Sequence, residues 1–138
     1  MKKITAIYLL VLTAFGLMVL AACGGGGYKR AEDAQDAGRE FIRATLDGEH
    51  DKAKFYLLHD TTNLLLLKQQ ESNYNQLSGK EKNEFRQSSI RPIEIKPVND
   101  SVTLYKYYNT YNSKDTTTLR IVRINADWVV DLKSIIKM

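Results

Sequence analysis

Apolar and polar positions divide the chain into three stretches. From Ile4 to Ala22 it is apolar with few breaks. From Ala31 to Gln87 apolar residues recur every three or four positions, and after Ser89 they alternate. The middle stretch predicts helices and the last predicts strands. Over Ala31 to Asp47, Ala34, Ala37, Phe41, Thr45 and Leu46 share one face with Gly38 and Ile42 beside them, opposite Asp33, Asp36, Arg39, Glu40 and Arg43. Gly48 can turn left-handed and close that helix. Asp51 is the expected cap of a short second helix, Lys52 to Leu58, with Ala53, Tyr56 and Leu57 inward. Thr61 or Thr62 is expected to cap a third, Asn63 to about Leu77, anchored by Leu64, Leu67, Tyr74 and Leu77. The run Leu64 to Leu67 covers more than one helix face, and burial is expected for it. Ser78 and Glu81 have capping-box spacing and predict a last helix, Gly79 to Gln87.

Pro92 and Pro97 mark the stretch around Ile93 and Ile95 as an edge strand. Asn99-Asp100, Asn112 to Asp115 and Asn125-Ala126-Asp127 read as turns. Between them, Val102, Leu104 and Tyr108 alternate with Thr103, Tyr105, Tyr107 and Tyr111, and Thr116 to Ile124 is β-branched. Trp128, Val130 and Leu132 share a face of the final strand. Four strands with short links make an antiparallel meander. Helices first and strands after predict an α+β class, with N-terminal helices packed on one face of a sheet of about four strands. The expected inward set is Ala34, Phe41, Tyr56, Leu104, Trp128, Val130 and Leu132, with Trp128 buried near Phe41.

The opening stretch has a different purpose. Met1-Lys2-Lys3 is a positive start, an apolar run follows, and the run ends in small residues, as in a secretory signal peptide. Its length would also suit a membrane span, for which ~20 apolar residues suffice. Its end decides between the two, because Leu20-Ala21-Ala22-Cys23 resembles the lipobox of bacterial lipoproteins. The resemblance implies that Leu20, Ala21 and Ala22 are the peptidase recognition segment and that the Cys23 thiol is the lipid attachment point. The expected organisation is a signal peptide over 1–22, a lipidated cysteine and glycine-rich tether over 23–30, and one domain over 31–138. Palmitate-type acyl chains on Cys23 make the membrane the first partner. More than one chain is needed for stable anchoring. Gly24 stands where an aspartate would retain a lipoprotein at the inner membrane, which points to the outer membrane, facing the periplasm or the cell surface.

Cys23 is the single cysteine of the 138 residues, so neither an intramolecular disulfide nor a cysteine metal cluster is expected. The formal charge is +4, but without Lys2 and Lys3 eighteen basic residues face sixteen acidic ones, a charge of +2. The basic residues are scattered, and no nucleic-acid partner is expected. Gly24 to Gly27 predict a flexible spacer. No strand precedes these glycines and no Gly-Lys-Ser/Thr follows, as a phosphate-binding loop would require.

Two segments together carry a family resemblance. Phe41-Ile42 through Leu46-Asp47-Gly48-Glu49-His50-Asp51-Lys52-Ala53 resembles the helix, Gly-Asp-type turn and second helix of the nuclear transport factor 2-like superfamily. Asp127-Trp128-Val129-Val130-Asp131-Leu132 resembles its closing strand. Within the superfamily the chain is most similar to bacterial lipoproteins carrying a domain of unknown function, some described as lumazine-binding-like. The resemblance spans about residues 31 to 135. It implies a curved sheet folded over a long helix, cone-like, around a cavity. Glu49-His50 stands where the resemblance leads one to expect Asp and an aromatic or apolar residue.

His50, His59 and Asp60 are the available acid–base groups, and their positions at turns and helix ends account for them. The two histidines, nine positions apart, match no standard metal spacing. Neither metal nor cofactor is expected. Tyr105, Tyr107 and Tyr111 share a sheet face by parity and are the candidate lining of a ligand pocket, with pairing across strands as the other reading. Arg120 and Arg123 fall on opposite faces. Asp131 has the parity opposite to Val130 and is expected to face solvent. The functional expectation is a lipid-anchored cell-envelope protein whose domain binds a small molecule or an envelope protein without catalysis. The alternative is a small isomerase or dehydratase of the same superfamily.

Overall fold

Asp33 begins the first helix. Its side chain accepts the Asp36 N–H at 2.7 Å, and α1 then runs Ala34–Asp47. Gly48 ends it at φ 74°, the left-handed region where a side chain is strained. The structure, a computed structural model, describes residues 27–137. After α1 come α2 (His50–Phe55), α3 (Thr61–Gln76), α4 (Gly79–Gln87), β1 (Ile90–Asn99), β2 (Val102–Asn109), β3 (Asn112–Ile124), β4 (Asp127–Asp131) and a 3-10 turn over Leu132–Lys137. The strands form one antiparallel sheet in the order β1-β2-β3-β4. The α+β arrangement is the expected one, with helices preceding the sheet, and the sheet is open rather than closed on itself.

The core lies between α1 and the sheet. Ala34, Ala37, Phe41, Ile42, Ala44 and Leu46 are buried against Tyr105, Leu119, Ile121 and Val130. Gly38 marks the closest approach: a Cβ there would lie 2.8 Å from Ile121 Cδ1 and 3.1 Å from Tyr105 Cδ2. Tyr105 pairs with Leu119, and Ile121 with Val130, so these four share the helix-facing side. Tyr105 therefore takes the inward place expected of Leu104, which is half-buried on the other face. Parity decides this, since adjacent residues point to opposite faces. Trp128 is half-buried rather than buried, with the Arg123 guanidinium 5.8 Å from its ring centre.

Several boundaries differ from expectation for local reasons. The β2–β3 reversal falls at Thr110-Tyr111, because Asn109 pairs with Asn112 and carries the polar 112–115 stretch into β3. The β3–β4 turn is where expected, with Asn125 and Ala126 both at positive φ, as a two-residue hairpin turn demands. Helix α2 follows Glu49, which makes no capping bond, so Asp51 lies inside it. The α3 cap is Asp60, accepting the Asn63 N–H at 2.9 Å, rather than either threonine. Ser78 and Glu81 form the full capping box of α4.

Both sheet edges are managed. In β1 the register shifts near Pro92 and again near Pro97, which blunts that edge. At β4, Leu58 N–H donates to Val130 O and Val130 N–H to Tyr56 O, both at 2.8 Å, so the α2–α3 link covers the strand.

Candidate functional site

Four elements converge on one cleft. Ile42, Thr45 and Leu46 come from α1, Gln70, Asn73 and Tyr74 from α3, Phe85 from α4, and Tyr107 with Asn109 from β2; Leu77 completes it. Its volume is about 300 Å³, at the lower end of the range for small-molecule sites. The floor is apolar and aromatic, and the polar groups are amides and hydroxyls. Burial pushes the Tyr107 phenol up to about 12, with Thr117 on the paired position of β3 working weakly the other way. Tyr107 is therefore a neutral hydroxyl at physiological pH.

Tyr74 holds the helical side of this cleft together. Its ring covers Gly48 so closely that a Cβ there would meet Tyr74 Cε1 at 2.5 Å. It meets His50 edge-on at 5.6 Å between centroids and Phe85 at 6.3 Å. The Tyr74 hydroxyl is buried and has no hydrogen-bond partner among the described residues. Arg43 fixes α4 from the other side. It pairs with Asp47 at 2.7 Å and donates to Ser88 O, Arg86 O and Phe85 O, the carbonyls at the end of α4.

The three tyrosines singled out by parity do not share a cleft. Tyr107 lines the one above. Tyr105 is 1% exposed and is a core residue, touching only a separate polar depression beside Arg39 and Glu40. Tyr111 lies in the β2–β3 turn and stacks on Phe85 at 4.3 Å. His50 sits against Tyr74, and the His59 ring Nε2 lies 2.7 Å from Lys54 O. The run Leu64 to Leu67 splits instead of being buried: Leu67 is buried and Leu66 half-buried, whereas Leu65 is 63% exposed and Leu64 37%. Cys23, the expected lipid attachment point, and Leu20, Ala21 and Ala22, the expected recognition residues, lie outside the described residues. Among those described, no group of three or more His, Cys, Asp or Glu side chains could hold a metal, and no helix is long and apolar enough to cross a membrane.

Asp131 is a correction of a different kind. It does lie on the face opposite Val130, yet it is buried because the start of α3 covers it. Asn63 Nδ2 donates to Asp131 Oδ1 at 3.2 Å, and Arg120 to Oδ2 at 2.9 Å. Asn63 Oδ1 accepts the Leu132 N–H at 2.8 Å. Lys133 reaches both Asp131 and Asp60. The Asn63 backbone N–H, then Lys133, hold the Asp60 carboxyl below the usual carboxylate range. This is a satisfied polar lock that ties α3 to the end of β4. Its sequence signal is Asn63 itself, one helical turn before the buried Leu67 on the inward stripe.

Searches against family models, curated proteins and solved structures match the chain to none of them.

Proposed function

We propose that this is a lipid-anchored protein of the bacterial cell envelope whose single domain binds an uncharged ligand or a protein partner without catalysing a reaction. The observation that carries the anchoring is Leu20-Ala21-Ala22-Cys23 after a positive, apolar leader. Replacing Cys23 with Ser should abolish labelling by a clickable fatty acid and leave the precursor uncleaved; labelling that persists would overturn the reading.

What favours binding over chemistry is the lining of the cleft. Its amide and hydroxyl groups can orient a ligand, and its rings can cover a flat or sugar-like one. The nuclear transport factor 2-like resemblance and the α+β arrangement fit a fold of this kind. The isomerase or dehydratase reading needs a carboxylate or imidazole in the cleft, held where its pKa moves toward neutrality. A screen of neutral metabolites by thermal shift tests the binding role, because a ligand at a hundredfold its Kd stabilises by about 2.7 kcal/mol. Tyr107→Ala should remove the shift given by a true ligand.

A further inference from the structure

We propose that Tyr28 and Phe55 form an aromatic foot that seats the domain on the bilayer in which Cys23 is anchored; this rests on the lipid-anchored reading above. The first described residues are fastened to the domain. The Tyr56 hydroxyl donates to Lys29 O at 2.6 Å, Arg30 pairs with Asp127, and the Tyr28 ring lies 5.6 Å from that of Phe55. The folded body thus begins at Tyr28, five residues after Cys23, and five residues reach at most ~18 Å. The body is larger than that. The thirteen residues of β3 alone extend roughly 40 Å, from the Asp127 end, where Arg30 is fastened, to the β2–β3 turn. So short a tether keeps the Tyr28 end turned toward the membrane and the Thr110-Tyr111 end away from it.

What the near end presents suits that position. Tyr28 is 40% and Phe55 38% exposed, so the two adjoining rings offer apolar surface at this end. Tyr28, an aromatic ring with a polar tip, suits the headgroup level of a bilayer, and the wholly apolar Phe55 ring lies against it. The surrounding charge is nearly balanced: Glu32 pairs with Lys29 and Asp127 with Arg30, while Lys54, beside Phe55, makes no ion pair among the described residues. The contact is therefore apolar at its centre and needs no anionic lipid. Two rings would hold weakly alone, but the acyl anchor makes the contact intramolecular and raises its effective concentration.

The native sequence allows a direct test. Cys23 is the only cysteine, and in the lipidated chain its sulfur is a thioether that takes no thiol label. The full lipidated chain is placed in phosphatidylcholine vesicles with one nitroxide beside the rings or far from them, through Gly27→Cys, Lys54→Cys, Ile93→Cys or Lys114→Cys. Labels at 27 and 54 should show a ratio of oxygen to nickel-chelate accessibility several-fold above labels at 93 and 114. Equal ratios at all four positions would show that the rings only staple the chain start to the domain, and the proposal falls. Label taken up by the unsubstituted protein would show a free Cys23, and the anchored reading falls first.

Discussion

Helices α1 and α3 have similar lengths, fourteen and sixteen residues, and are held by different means. Helix α1 buries seven residues against the sheet, whereas α3 buries two, Asn63 and Leu67. The first is fixed along its length by apolar contact. The second is held by the Asn63–Asp131 lock at the start, by Leu67 in the core and by Tyr74 over Gly48 near the finish. So sparse an attachment leaves space beyond Leu67, and the candidate cleft lies there, beside Gln70 and Asn73. Binding sites drawn from the less densely packed part of a domain are the general expectation.

Substitutions can break this contrast. The largest expected effect is in the packed region: Phe41→Ala should cost ~3–5 kcal/mol, measured by urea denaturation. A loss under 1 kcal/mol would mean that α1 is not the packed partner of the sheet. Next is the lock. Asn63→Ala leaves the Leu132 N–H without its acceptor and Asp131 without one donor, a cost of ~2 kcal/mol by the same measurement. If hydrogen exchange in α3 is unchanged in that variant, the lock is not what holds its start.

Acid should loosen the same end. The folded-state pKa of Asp60 is depressed, so its contribution is complete above the unfolded value and is lost as pH falls through the folded one. The thermal midpoint should drop below about pH 4, where carboxylates protonate. Asp60→Asn, which retains a capping oxygen, should lower the midpoint at pH 7 and converge with the native protein in strong acid. Parallel melting curves for the two at every pH would exclude Asp60 as a contributor. A smaller effect, of opposite sign, belongs to Tyr74→Phe. It removes a buried hydroxyl without a partner and should gain up to ~1 kcal/mol. Smallest is Leu65→Ser, on the exposed middle of α3, expected within ~0.5 kcal/mol of the native protein.

The same contrast separates what could be read in the sequence from what could not. Elements with local signals were legible: Gly48 closing α1, the capping box of Ser78 and Glu81, the turn at Asn125-Ala126, and the prolines of β1. Residues whose role depends on distant partners were not. Asp131 reads as solvent-facing from its strand alone, because the helix that covers it is 68 positions away in the chain. Tyr105 and Leu104 are both apolar enough for the core, and only the pairing with Leu119 decides which turns inward. Asn112 to Asp115 has turn composition, yet it belongs to β3, with Asn112 paired to Asn109. The cleft draws on three helices and a strand, and no single stretch of sequence announces it.

Contact between α1 and β4 also sets the order in which the molecule can be completed. The first helix of the domain rests against its last strand, and Arg30, ahead of α1, pairs with Asp127 at the start of β4. A chain that emerges N-terminus first therefore cannot close this core until β4 has appeared. The helices have their caps and can flicker into shape early, but they have nothing to shut against.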